Sequence, residues 1–134
     1  MQVEFSIKNY ILLFGYAQIL LILVVLSFDS LVEINNHMTL LILPMIASAY
    51  FTILRFIKDN KRVPTKEEKR NLIILSLFMN WIILFALFII VENHTVVDST
   101  KVMTYILILT AVTLISLNIM YGKIGDMILK NRNY

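Results

Sequence analysis

Four long apolar stretches, separated by short polar segments, dominate the pattern of this chain. They cover residues 10–28, 38–56, 71–91 and 102–121. At about 1.5 Å per residue, a helix of this length spans the roughly 30 Å hydrocarbon core of a bilayer. The pattern therefore predicts an all-α fold: an integral membrane bundle of four transmembrane helices in a single domain, residues 1–134.

Composition supports a lipid environment for these helices. Hydrophobic residues make up 59% of the 134 residues and charged residues only 16%, and the mean hydropathy is +0.80. A water-soluble domain of this size could not bury so much apolar side-chain surface. We therefore expect the lipid bilayer to surround most of the helix surfaces.

Basic residues are concentrated on one side of the predicted topology. The loop 57–70, between the second and third spans, carries six of them: Lys58, Lys61, Arg62, Lys66, Lys69 and Arg70. The tail after residue 121 carries three more, whereas the two opposite loops contain only Lys101. Because short loops rich in Lys and Arg tend to stay in the cytoplasm, both termini are predicted to be cytoplasmic.

The basic loop also predicts where the third helix begins. Pro64 disfavours helical backbone at Val63, and Thr65 is followed three residues later by Glu68, which is a capping-box pattern. We expect the helix to begin near Thr65 and its first turns to project from the bilayer. The candidate contacts for a cytoplasmic partner or for lipid phosphates are Arg62, Lys66, Lys69 and Arg70. A purely topological role for these cations is the simpler interpretation.

The same loop carries a resemblance to a known group of proteins. An aromatic helix end is followed by an R-x-P-T-x-x-E pattern, and the residues concerned are Phe56, Lys58, Arg62, Pro64, Thr65, Glu68 and Arg70. In this pattern and in its four-span layout, the chain resembles an uncharacterised family of small bacterial inner-membrane proteins. The resemblance implies a bacterial inner (cytoplasmic) membrane and no established activity, and it supplies no functional residues.

Polar side chains lie near the middle of each predicted span: Gln18, Ser48, Asn80, Thr110 and Thr113. A compact bundle could bring them into one layer, because polar groups avoid lipid and seek partners within the protein. The layer could bind or conduct a small molecule, or it could join the helices through hydrogen bonds worth about 0.6 kcal/mol each. We favour the structural interpretation.

Two further residues carry local expectations within the spans. Pro44 is predicted to kink the second span on its outer side. Trp81, beside Asn80 at mid-depth, is predicted to pack between helices with its indole N–H bonded to a neighbour.

The apolar stretches lack the residues that several classes of function require. Every Asp and Glu lies outside them, which argues against a proton-coupled transporter. The chain has no cysteine, so thiol–disulfide chemistry is excluded. The spans carry no pair of histidines for a metal or haem, and we interpret His37 and His94 as solvated residues of the outer loops. We therefore expect no enzyme, no catalytic residues, and neither a metal nor another cofactor.

These patterns leave protein–protein interaction as the leading class of function. The basic residues flank the membrane with little aromatic interleaving, so nucleic acid is not an expected partner. The sharpest hypothesis is an immunity-type protein that neutralises a membrane- or envelope-targeting bacterial toxin, by analogy of architecture with some immunity proteins against pore-forming colicins. The alternatives are a small homo-oligomeric channel or transporter that uses the polar layer, and an accessory subunit of a larger membrane complex.

Overall fold

A computed structural model describes residues 7–32, 41–92 and 99–132. The helices are α1 (Ile7–Val32), α2 (Ile42–Asn60), α3 (Lys66–Glu92), α4 (Ser99–Ile119) and α5 (Gly125–Asn131). A π-helical turn, Met120–Ile124, joins α4 to α5, so that the two form one continuous rod. The described ranges contain no strand, and the predicted all-α fold is confirmed there.

The bounds of α2 differ from those of the second apolar stretch. The helix begins at Ile42, and residues 38–40 of the predicted span lie outside the described residues. Pro44 therefore occupies the first turn, where its missing N–H removes no helical hydrogen bond and gives no reason for the predicted kink. At the other end the helix runs on to Asn60, and Lys61 ends it with a left-handed φ of 53°.

Helix α3 begins where the capping-box pattern predicted. The Thr65 N–H donates to Glu68 Oε2 at 2.8 Å, and the Glu68 N–H donates to Thr65 Oγ1 at 3.3 Å. These reciprocal bonds confirm the capping box and explain the start of the helix at Lys66. With 27 residues, α3 is about 40 Å long, so its charged residues 66–70 extend beyond a hydrocarbon core of roughly 30 Å.

The helices pack as an antiparallel bundle. Tyr10, near the start of α1, contacts Asn60 at the end of α2, and Ser76, in the first half of α3, contacts Tyr121 just after α4. The first turns of α1 and α3 therefore lie at the same end of the bundle as the last turns of α2 and α4. We call this end the basic end, because it carries Lys8, Lys58, Lys66 and Lys123.

Helix α2 lies at the centre of the bundle. It packs against α1, α4, the π-helical turn and α5, while α3 packs against α1 and α4. Its buried face consists of Pro44, Met45, Ser48, Ala49, Thr52, Ile53, Phe56 and Ile57. A Cβ atom at Gly125 would lie 3.3 Å from Ile53 Cγ1, so glycine allows α5 to approach α2 closely.

The distribution of polar side chains is the reverse of that in a water-soluble bundle. The buried polar residues are Gln18, Ser48, Thr52, Ser76, Asn80 and Thr113. Large apolar side chains are exposed along the helices instead, for example Leu20, Phe78 and Leu107. Polar groups inside and apolar groups outside are the arrangement that lipid favours. The chain is therefore a membrane protein.

Within the described ranges, three helical rods are long and apolar enough to cross a membrane: α1, α3, and α4 continued through α5. The last of these is longer than the predicted span 102–121, because the helix continues to Asn131. Helix α2 has 19 residues and carries Arg55, Lys58 and Asp59 near its end. Its length is sufficient for a span, but these three charges leave α2 outside the group of helices that qualify by composition.

Candidate functional site

The candidate polar layer contains one direct hydrogen bond between helices. Gln18 Nε2, on α1, donates to Asn80 Oδ1, on α3. Both side chains are buried, with 0% and 3% of their surface exposed. The second polar atom of Gln18, Oε1, is also buried and has no hydrogen-bond partner among the described residues. The layer therefore holds one satisfied interhelical pair and one unused acceptor.

The other predicted members of the layer bond to their own helices. Ser48 donates to the Pro44 carbonyl at 2.6 Å, and Thr113 donates to the Leu109 carbonyl at 2.7 Å. Such back-bonding to the carbonyl one turn earlier is the usual solution for Ser and Thr inside a membrane helix. Within the described residues, no hydrogen bond links these hydroxyls to Gln18 or Asn80, so only two of the five predicted residues are hydrogen-bonded to each other.

Thr110, the fifth predicted member, forms the second polar link between helices. Its hydroxyl donates to the Ile106 carbonyl at 2.7 Å and accepts a hydrogen bond from Trp81 Nε1 at 3.1 Å. The indole N–H is therefore bonded to a neighbouring helix, as predicted. The Trp81 ring, however, is 48% exposed, so it lies on the outer surface between α3 and α4 and not inside the bundle.

Sequence reasoning missed a third polar contact nearer the basic end. The hydroxyls of Ser76 and Tyr121 lie 2.8 Å apart, and both residues are buried. The nearby Thr52 hydroxyl donates to the Ser48 carbonyl at 2.8 Å. The available signal was Tyr121 itself, since a buried tyrosine hydroxyl requires a partner. Its position at the boundary of an apolar stretch concealed this requirement.

The loop between α2 and α3 is held by a bidentate ion pair. The Arg62 guanidinium donates to both carboxylate oxygens of Glu68, at 2.7 and 2.8 Å. It also stacks over the Phe56 ring, 5.6 Å from the ring centroid. A planar guanidinium suits both contacts. Arg62 is therefore fully engaged in holding the loop against the end of α2.

This ion pair also sets the protonation of the loop. The hydrogen bonds from Arg62 lower the pKa of the Glu68 carboxyl from 4.5 to about 2, while partial burial opposes this shift and the Thr65 N–H adds to it. A carboxylate that accepts several hydrogen bonds is stabilised in its charged form. Glu68 is consequently ionised at any physiological pH.

A second polar cluster joins α1 to α2 at the basic end. Asn60 Nδ2 donates to the Tyr10 hydroxyl at 3.0 Å, and that hydroxyl lies 3.4 Å from Asp59 Oδ2. Asp59 also pairs with Arg55 at 2.9 Å. The Tyr10 ring packs against Phe56, with centroids 5.1 Å apart. These contacts fix the relative positions of the two helix ends.

The four predicted cytoplasmic contact residues separate into two sets. Arg62 belongs to the loop ion pair. Lys66, Lys69 and Arg70 instead line an open groove of about 270 Å³ between the beginning of α3 and the end of α4. The groove is completed by Ile73, Ile74 and Asn118.

The described residues do not assemble any group of His, Cys, Asp and Glu that could hold a metal ion. His37 and His94 lie outside the described residues, so the interpretation of these two side chains as solvated stays a prediction. The arrangement of the described side chains offers interhelical hydrogen bonds, a rigid loop and a basic groove.

No family model, curated protein or solved structure matches the chain. The function is therefore inferred from the geometry described above.

Proposed function

We propose that the chain is a four-span interaction protein of the bacterial inner membrane with both termini in the cytoplasm. Even crossing is supported by the antiparallel packing, because the beginning of α1 and the end of the α4–α5 rod lie at the basic end. The cations at that end favour a cytoplasmic location for it. The resemblance of the loop 57–70 supports the bacterial inner membrane.

The outward face of α2 supports its assignment as the fourth span. Leu43 and Phe51 are apolar and at least half-exposed on that face, as lipid contact requires. Arg55 and Lys58 follow near the basic end, where their long side chains can extend to the headgroups. The charges that disqualify α2 by composition are thus confined to the part nearest the interface.

The observation that carries an interaction function is the exposure of α4 at residues 103–108. All six consecutive residues are exposed, and among them Met103 and Leu107 have 71% and 70% of their surface uncovered. Since a helical turn takes about 3.6 residues, every side of the helix is uncovered at this level. This segment is an apolar helix surface available to a partner within the bilayer.

The most specific form of the proposal is an immunity-type protein that neutralises a membrane- or envelope-targeting bacterial toxin. An uncovered apolar helix can pack against an apolar segment of the toxin as that segment enters the bilayer. Association between helices in lipid depends on close packing and on interhelical hydrogen bonds. The occupant proposed for residues 103–108 is therefore a toxin helix.

The test is protection of a sensitive strain that expresses the chain and is challenged with the toxin encoded next to its gene. The α4 variant replaces Ile106, Leu107 and Ile108 with alanine. The matched control replaces three exposed apolar residues of α3 with alanine: Phe78, Ile82 and Phe85. We expect protection by the wild type and the control, and loss of protection by the α4 variant at equal membrane abundance. Killing of the strain with the wild-type chain, or equal protection by both variants, would reject the proposal.

A homo-oligomeric channel or transporter is the second candidate, because Gln18 Oε1 is a buried acceptor without a described partner. A polar solute could use such an acceptor at mid-depth. Substitution of Gln18 and Asn80 by Leu should then abolish flux into proteoliposomes at an unchanged protein level. Unchanged flux, or no flux by the wild type, would remove this candidate.

A further inference from the structure

The groove at the basic end has the chemistry of a binding site for an anionic headgroup. Lys66, Lys69 and Arg70 line it, and their spacing of three and four residues places them on one face of α3. Among the residues that the structure describes, no carboxylate lines the groove. Its electrostatic potential is therefore set by three cations on one wall.

These three cations have no ion-pair partner among the described residues, in contrast to the two arginines Arg55 and Arg62 at the same end. Arg55 is paired with Asp59, and Arg62 with Glu68. The structure thus separates the cations that hold the fold from the cations that line the groove. The groove cations, unlike Arg55 and Arg62, therefore have charge to offer to a ligand.

The apolar part of the groove continues the same helix face toward the membrane interior. Ile73 and Ile74 lie one turn after the cations and line the groove with them, and Ile74 is 56% exposed. A ligand that fills the groove would meet positive charge at the rim and apolar surface toward the bilayer. A phospholipid has this distribution, with its phosphate at the interface and its acyl chains below.

The opposite wall of the groove is formed by the end of α4, just before the π-helical turn. Asn118 contributes a carboxamide that can donate to an oxygen of the headgroup. Lys69 extends across toward Gly122, where an added Cβ atom would lie only 2.7 Å from Lys69 Nζ. Because Gly122 has no side chain, the Lys69 ammonium can occupy this space. Hydrogen-bond donors, from Lys69 and from Asn118, are therefore present on both sides of the groove.

We propose that this groove binds the phosphate of an anionic glycerophospholipid, with its acyl chain along Ile73 and Ile74. Charge complementarity and position at the membrane interface favour a lipid over soluble phosphate. The site requires neither a toxin nor a channel activity, and it concerns a surface distant from residues 103–108 of α4.

The experiment is native mass spectrometry of the purified full chain in a neutral detergent, titrated with phosphatidylglycerol or phosphatidylethanolamine. We expect the wild type to retain phosphatidylglycerol at lower lipid concentration than phosphatidylethanolamine. Excess inorganic phosphate is added in a parallel arm and should not displace the bound lipid. Equal retention of the two lipids, or displacement by inorganic phosphate, would overturn the proposal.

Charge-matched variants locate the site. The groove variant replaces Lys66, Lys69 and Arg70 with Gln, and the control replaces three exposed lysines at the same end with Gln: Lys58, Lys123 and Lys130. Both variants lower the formal net charge from +3 by the same amount. A cation close to an anionic headgroup is equivalent to about fivefold in affinity. The groove variant should therefore lose at least tenfold, and the control much less, because its three lysines do not line the groove.

Equal loss of lipid in the two variants would indicate diffuse attraction and overturn the assignment. Circular dichroism and a single elution peak verify folding of both. If the groove variant does not fold, the single substitution Lys69→Gln decides the question against Lys123→Gln. A loss of about fivefold is expected for the first and none for the second, and equal affinities would overturn the proposal.

Discussion

The buried pair of Gln18 and Asn80 gives an unequal response to two similar substitutions. Asn80→Leu removes the acceptor of the interhelical bond and leaves the whole Gln18 carboxamide without a described partner. Loss of a membrane hydrogen bond costs about 0.6 kcal/mol, and each newly unpaired buried polar group adds about 1 to 3 kcal/mol. We expect Asn80→Leu to lower the free energy of unfolding by about 2 kcal/mol.

Gln18→Leu should cost less, because it also removes Oε1, which is already buried and unpaired. The substitution leaves Asn80 Oδ1 unpaired but removes the unpaired Gln18 Oε1, so these two effects offset each other. The expected loss of unfolding free energy is therefore that of the hydrogen bond, about 0.6 kcal/mol. With both residues replaced by Leu, no carboxamide is left in the layer, and the stability should return close to that of the wild type. The two substitutions should therefore be strongly non-additive.

Steric trapping in bicelles measures these free energies without removing the lipid. The four proteins of the cycle are the wild type, the two single variants and the double variant. Leu has the same number of heavy side-chain atoms as Asn and one fewer than Gln, so the substitutions mainly change the polar groups. Additive losses to within about 0.5 kcal/mol, or a larger loss for Gln18→Leu than for Asn80→Leu, would refute the assignment of an interhelical bond with an unused acceptor.

Three further predictions follow from other parts of the bundle. Ile82 lies in the middle of α3 and is 50% exposed. Ile82→Lys should therefore raise the apparent free energy of membrane insertion by about 2.5 to 3.5 kcal/mol, as measured with a reporter fusion. Unchanged insertion would contradict the contact of this residue with lipid. Tyr121→Phe should lower the free energy of unfolding by about 1 kcal/mol through loss of the Ser76 contact. Adding Ser76→Ala to this variant should lower the stability little further, as measured by thermal unfolding in detergent. A second loss of the same size would show that the two hydroxyls do not interact. The pKa of Glu68 is about 2 in the folded chain, against 4.5 for an unperturbed glutamate. The loop ion pair therefore stabilises the fold fully above pH 4.5, and this stabilisation is lost as the pH falls toward 2. Carbon-detected NMR should find that Arg62→Gln moves this pKa up toward 4.5, and an unchanged pKa would disprove the cause.

The helices were predictable because hydropathy reports lipid contact and capping motifs report helix starts. The Thr65–Glu68 box located the beginning of α3, and its two reciprocal bonds are present. Hydropathy was less successful at helix ends, where backbone hydrogen bonding continues into polar sequence. For this reason α2 runs on to Asn60, and α4 continues through the π-helical turn and α5 to Asn131.

The polar contacts were only partly predictable, because depth can be read along the sequence but helix rotation cannot. Gln18 and Asn80 share a depth and also face each other. Ser48 and Thr113 lie at suitable depths but bond to their own backbones, an option that short hydroxyl side chains have and carboxamides on longer stems seldom use. The sequence identified Lys66, Lys69 and Arg70 as candidate contact residues together with Arg62. Their different role could not be predicted, because it depends on which cation has an ion-pair partner in the folded chain.

The central position of α2 has a consequence for the biogenesis of the proposed four-span arrangement. The helix that touches nearly every other element is also the shortest of the main helices, and it carries Arg55, Lys58 and Asp59 near its end, so it gains little from lipid by itself. The helices before and after it in the chain, α1 and α3, can enter the bilayer independently, each satisfying its own backbone. Stable insertion of α2 then requires α1 to be in the bilayer already, where it shields the polar side chains of α2. The order in which the helices are synthesised and inserted therefore helps to determine the final bundle.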